Sequence, residues 1–208
     1  MHGAGGEVMG ELLQTLTKFR HNNAGGIGLE AMDDGAVIPF NGENLVFTTD
    51  SHVVRPIFFP GGDIGRISVC GTINDLAMMG GKPIALSCGM IIEEGFDIDD
   101  LARIVSSMDE ALGEADANLV TGDTKVMERG ALDGIAINTA GIGVAKTIVR
   151  DNGLVPGMLS LSPARWEITV LPSWPTARDS TLGNRLNLTY HRSGVWWRKC
   201  WRPARSMQ

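Results

Sequence analysis

Apolar residues recur at Val8, Met9, Leu12, Leu13, Leu16 and Phe19, three and four positions apart, which predicts an amphipathic helix. A polar, glycine-rich turn follows at Asn22-Asn23-Ala24-Gly25-Gly26. Short apolar runs at Ala36–Pro39 and Leu45–Thr49 predict strands, and Pro56–Gly65 reads as a loop. A second helix is predicted over Ile64–Met79, where Gly80-Gly81 offers a left-handed stop and Pro83 blocks continuation. Ile84–Ile92 is apolar nearly throughout, as in a strand buried on both faces. After it, Asp97 is placed to cap a helix whose Leu101, Ile104, Val105, Met108 and Leu112 share one side. Asn118–Thr121 and Gly134–Val144 predict two more strands. Strands and helices in alternation mean an α/β or α+β fold, and no internal repeat is apparent.

Composition divides this pattern. Residues 1–157 carry ten Lys/Arg against twenty-two Asp/Glu and no Trp, whereas residues 158–208 carry eight Lys/Arg against two Asp/Glu and all five Trp. The helical and strand periodicities stop at the same place. The expected division is therefore a folded domain over 1–157 and a tail over 158–208 without a stable core. The acidic first part argues against nucleic acid as a partner, because a phosphate backbone demands Lys and Arg. No apolar run reaches membrane-spanning length, and no secretory signal opens the chain. Cys70, Cys88 and Cys200 form no CxxC pair or disulfide framework, so the expected compartment is the cytoplasm.

The candidate chemistry lies in acids in unusual settings. Asp33-Asp34 precedes a predicted strand, Asp50 and Asp123 end strands, and Asn74-Asp75 sits in an otherwise apolar helix. Ligand contacts in open sheets come from strand ends, and an acid on an apolar helix face is costly unless paired or bound to a metal. Acids converging on one spot would repel one another without a cation, and Mg²⁺ with a nucleoside triphosphate is the usual reason for such a group. Backbone N–H groups of the glycine loop His2-Gly3-Ala4-Gly5-Gly6 would cover phosphates. Lys125 would set a positive charge beside a transferring phosphoryl group. Each feature has a plainer reading: glycine clusters are mostly turns, Asp33-Asp34 alone reads as a solvated turn, and Asp97, Asp99 and Asp100 serve a helix N-terminus. Cys70 and Cys88 read as core residues, and His2 and His52 are not spaced as metal ligands. Asp75, among Ile73, Leu76 and Ala77, is hardest to dismiss.

In this order, HGAGGEVM, DDGAVIPF, TTDSHVV, FFPGGDIGR, CGTINDLAMMGGKP, SCGMIIEEGF and VTGDTKVMERG resemble the HypE family of [NiFe]-hydrogenase maturation proteins. The likeness runs from His2 to about Pro156. It implies a PurM-like (AIR synthase-related) N-terminal ATP-binding domain whose strands form a β-barrel in a homodimer. It implies ATP and Mg²⁺ as cofactors, the carbamoyltransferase HypF and a HypC–HypD complex as partners, and an ATP-dependent carbamoyl dehydratase activity. In that activity a carbamoylated C-terminal cysteine becomes a thiocyanate, the source of the cyanide ligands of the NiFe site. The resemblance places Asp33 or Asp34, Asp50, Asp75 and Asp123 at metal positions. It places Gly3, Gly5, Gly6, Asp50, Asn74, Asp75, Asp123 and Thr124 at nucleotide positions, and Lys125 at the reacting group.

Beyond Gly157 the resemblance ends. The family continues with a second domain and closes on a cysteine, whereas this sequence closes on Ser206-Met207-Gln208. Codons can be chosen for the tail so that a one-nucleotide shift spells a family-like strand followed by SGTLGDHG. The expectation is an off-frame tail, an absent C-terminal domain and no complete turnover by this chain. Two alternatives stay open. One is another ATP-using enzyme of the superfamily, such as a selenophosphate synthetase-like protein, although HGAGG lacks that class's Cys or Sec and Lys. The other is a non-catalytic dimerisation module.

Overall fold

The computed structural model describes residues 6–150 and Asn152. The glycines expected over phosphates at Gly3 and Gly5, and the tail 158–208, lie outside the described residues. Gly6 is the first residue of helix α1 (Gly6–Leu16).

A five-stranded sheet carries the domain, in the order β1-β2-β7-β5-β6. Strands β1 (Ala36–Phe40) and β2 (Glu43–His52) form a hairpin. Asn41 and Gly42 both turn it at positive φ, 51° and 83°, the backbone that matches the twist of a two-residue hairpin. Strand β7 (Ile135–Ala145) pairs antiparallel with β2 and with β5 (Lys82–Glu93). Strand β6 (Asn118–Met127) pairs parallel with β5 and forms the edge. Two helices, α2 (Ile64–Met78) and α3 (Ile98–Ala115), bury one face of the sheet. Their core contains Ile64, Val69, Ile73, Leu86, Ile104, Met108, Ile135 and Ile137. Helix α3 begins as its sequence predicts, with the Asp97 carboxylate accepting from the backbone N–H of Asp99 and Asp100.

Three boundaries differ from the sequence reading. Strand β5 is not buried on both faces: Ile84 and Ile91 are exposed, because the helices cover only one side. Strand β6 continues to Met127, since its ladder with β5 runs on to Glu93↔Met127 and backbone pairing sustains the polar Gly-Asp-Thr-Lys stretch. The loop 56–65 contains a small hairpin, β3 (Phe58–Phe59) with β4 (Gly62–Asp63), turned at Gly61 with φ of 97°.

That hairpin explains much of the FFPGGDIG stretch. The Asp63 carboxylate caps α2, accepting from the Arg66 N–H at 2.9 Å, and it also accepts from the Ser107 hydroxyl of α3. The Arg103 guanidinium stacks 3.9 Å from the Phe58 ring centre. Arg66 and Glu114 join α2 to α3 at 2.6 Å with both side chains mostly buried. A Cβ at Gly65 would stand 2.5 Å from the Ile104 carbonyl oxygen, so only glycine lets the two helices approach this closely.

Candidate functional site

Strand alternation and helix periodicity create one meeting point. On β2, Thr48, Asp50 and His52 share a face with buried Val46. On α2, Gly71, Asn74 and Asp75 are spaced three and four apart and so lie along one side. The register between helix and sheet is held by a buried hydroxyl cluster. Thr139 Oγ1 donates to the Ser68 carbonyl at 2.7 Å and lies 2.6 Å from Thr72 Oγ1. Ser68, Thr72 and Thr139 are all fully buried. A Cβ at Gly141 would meet Thr72 Cγ2 at 2.7 Å and Leu76 Cδ1 at 3.0 Å, so β7 presents a flat seat for the helix.

Three carboxylates gather here. Thr48 Oγ1 lies 2.8 Å from the Asp34 carbonyl oxygen and 3.2 Å from Asp75 Oδ2; its one hydrogen serves either. Asp50 Oδ1 accepts the Ser51 N–H at 2.8 Å, and Oδ2 lies 3.2 Å from His52 Nε2. The histidine hydrogen bond holds the Asp50 carboxyl below its usual pKa. Asp75 moves the other way. Burial first, then the charges of Asp50 and Asp34, push its pKa up to about 6, against the Thr48 hydrogen bond. Two buried polar atoms here have no hydrogen-bond partner among the described residues, Asn74 Oδ1 and His52 Nδ1.

This donor set is oxygen-rich and electrically strained, which suits a hard divalent cation. Among the described residues, however, no three His, Cys, Asp or Glu side chains form a ready-made cage. A cation that keeps waters and takes other ligands from phosphates, as Mg²⁺ does, needs only one or two carboxylates.

The other sequence candidates stand apart. The Asp33 carboxylate is almost fully buried and accepts from Arg150 Nε at 3.2 Å, so it is Asp34 whose charge acts on Asp75. Asp123, Thr124 and Lys125 are exposed on edge strand β6. Asp50 pairs with Thr139, Thr139 with Cys88 and Cys88 with Gly122, which puts β2 and β6 three strand steps, roughly 14 Å, apart. Asp123 and Lys125 register with Gly89 and Ile91, and these with Asn138 and Ala136. That is the helix-free face, opposite Asp50. Within one chain, then, Asp34, Asp50 and Asp75 come together, and Asp123 and Lys125 do not join them. An open cleft of about 550 Å³, lined by Arg55, Pro56, Ile57, Phe96, Asp133 and Gly134, contains none of these acids. Sequence reasoning passed over Thr48 and set His52 aside. The period-2 pattern Thr48, Asp50, His52 was the signal that could have found both.

The AIR synthase related protein N-terminal domain family matches residues 32–145, more than half of the chain and every element from β1 to β7. The chain belongs to that family. Its relatives include HypE proteins. The sequence is 50% identical over 144 residues to the carbamoyl dehydratase HypE of Rhizobium leguminosarum bv. viciae, covering 69% of this chain and 40% of that protein. A HypE–HypF complex structure matches with TM-score 0.58 and 45% identity, over 68% of this chain and 43% of its counterpart. A HypE structure in complex with ATP matches with TM-score 0.50 and 43% identity, over 70% of this chain and 42% of its counterpart. The chain thus spans about two fifths of the length of these relatives. Among the described residues, no helix is long and apolar enough to cross a membrane.

Proposed function

We propose that residues 1–157 form the ATP- and Mg²⁺-binding domain of a cytoplasmic carbamoyl dehydratase acting in hydrogenase maturation. The observation that carries this reading is the meeting of Asp34, Asp50 and Asp75 beside Asn74 Oδ1, which has no partner among the described residues, with Asp75 raised to about 6 by burial and by the charges of Asp50 and Asp34. A bound Mg²⁺ would offset much of the repulsion among the carboxylates and polarise the phosphates of ATP. Asp50, fixed at both oxygens, and Asp75 would hold it, with Asp34 behind Thr48 in preference to the arginine-paired Asp33.

The chemistry asked of such a site balances simply. The amide oxygen of a thiocarbamate attacks the terminal phosphorus, ADP leaves, and the oxygen becomes a phosphate leaving group. Loss of that phosphate and of two amide protons leaves a carbon–nitrogen triple bond on sulfur. Amide oxygen is otherwise too poor a leaving group. Lys125 is assigned to the transferring phosphoryl group, Asp123 to the cation and, with Thr124, to the nucleotide, and Gly3, Gly5 and Gly6 to the phosphates.

A homodimer is part of the proposal. The helix-free face leaves Phe47, Ile91 and Ile142 exposed, and among the described residues β6 has an unpaired outer edge. Covering this face with a second copy would bury the apolar residues and close a barrel. HypF would supply the carbamoyl group, and a HypC–HypD complex would receive the cyanide. Residues 158–208 are taken as off-frame sequence, which the underlying nucleotide sequence tests directly.

Calorimetry of the 208-residue protein with ATP, in Mg²⁺ and in EDTA, tests the binding reading. It requires Mg²⁺-dependent heat that Asp50→Asn abolishes. ATP heat independent of Mg²⁺, or none, would support the dimerisation module instead.

A further inference from the structure

The structure gives His52 unusual surroundings. Its side chain is 13% exposed, at the end of the strand face that carries Thr48 and Asp50. Its Nε2 stands 3.2 Å from Asp50 Oδ2. The ring fits only because α2 has a glycine opposite it. A Cβ at Gly71 would be 2.8 Å from His52 Nε2 and 3.0 Å from Asp50 Oδ2, so the slot serves the histidine–carboxylate pair and not the ring alone.

We propose that His52 is a positioning residue, whose Nε2–H donates to Asp50 Oδ2 and fixes the carboxylate in its cation-binding orientation. The inference rests on the reading of this site as one for Mg²⁺ and ATP. The Ser51 N–H holds Oδ1 at 2.8 Å and His52 holds Oδ2. Each carboxylate oxygen accepts about two hydrogen bonds or metal contacts, so each keeps a lone pair for a cation. The tautomer is assigned from the partners: Nε2 faces an acceptor, and Nδ1 is buried with no partner among the described residues. Carboxylate ligands of metals are commonly aimed by such outer hydrogen bonds, whose loss weakens metal binding by about 10–100-fold.

The rival explanation is that the ring merely fills the space between β2 and α2. Three substitutions separate the two. His52→Gln keeps a donor at about the reach of Nε2, His52→Asn moves the donor back to the Nδ1 position, and His52→Phe keeps the ring without a donor. The Mg²⁺ dependence of ATP binding is measured by calorimetry on the 208-residue chain, with thermal unfolding of each variant in parallel. The expected result is a Mg²⁺-dependent affinity about 10–100-fold weaker for His52→Phe and His52→Asn. His52→Gln should stay within about threefold of the unsubstituted chain, and weak binding in EDTA should be equal in all. Equal Mg²⁺-dependent affinity in all four proteins would overturn the inference and leave the site reading standing. So would equal losses for Gln and Asn, a contrast that decides the matter even if the Phe variant does not fold. An unsubstituted chain without Mg²⁺-dependent ATP binding would remove the site reading, and this inference with it.

Discussion

Replacing Asp75 by Asn should make the cation-free protein more stable at neutral pH while removing its response to Mg²⁺. Asp75 is half-buried on α2, and burial together with Asp50 and Asp34 raises its pKa from 3.8 to about 6. At face value that rise corresponds to roughly 3 kcal/mol. Solvent reaches the carboxyl, and screening cuts the figure to on the order of 1–2 kcal/mol. The sign follows from proton counting. Between pH 3.8 and about 6 the folded state holds the Asp75 proton and the unfolded chain has lost it, so this group's contribution to stability falls as pH rises through that window. Below it Asp75 is neutral in both states and costs nothing; above it the full penalty applies. The amide introduced by Asp75→Asn would carry no charge and would still accept from Thr48. The advantage of Asp75→Asn should therefore be near zero at pH 3.8, grow up to about pH 6 and level off beyond. Urea denaturation of both proteins in EDTA across that range reads it directly. Adding Mg²⁺ and ATP should reverse the order, since only the unsubstituted protein gains binding stabilisation. A difference that is flat with pH, or a less stable Asp75→Asn protein at pH 8 in EDTA, would refute the reasoning.

The remaining predictions concern the frame around the site. Thr139→Ala removes the donor to Ser68 and the partner of Thr72 in a fully buried cluster, and should cost about 1–3 kcal/mol in urea denaturation. Gly65→Ala pushes a methyl group against the Ile104 carbonyl; a loss of about 1–3 kcal/mol is expected, and an unchanged unfolding midpoint would show that α2 and α3 are not tightly apposed. Phe47→Glu charges the helix-free face beside Ile142. Sedimentation velocity should then report a monomer where the unsubstituted chain sediments as a dimer, with an unchanged circular dichroism spectrum.

Much of the architecture was legible because α3 and β7 obey one period each. Ile104, Met108 and Leu112 fall on a helical stripe and are buried, and β7 alternates from Ile135 to Ala145. The open face of β5 was not legible. An apolar run reads the same whether helices cover both sides or a second surface is left bare, as Ile84 and Ile91 show. Nor was the β3–β4 hairpin, whose four residues are too few for any periodicity. At the site, Asp75 stood out as an acid among apolar neighbours. The separation of Asp123 and Lys125 from it is a matter of strand order and sidedness, which spacing along the chain does not encode. Asp33 and Asp34 are adjacent and chemically identical; only the position of Arg150, 117 residues away, distinguishes them.

The most direct test of the central claim is a crystal structure of the 208-residue protein with Mg²⁺ and a non-hydrolysable ATP analogue. The account predicts a cation bridging the analogue's phosphates to Asp50 and Asp75, with Asn74 at the same end of α2 and His52 still on Asp50. A nucleotide bound elsewhere, with Asp50 and Asp75 touching neither cation nor phosphate, would contradict it.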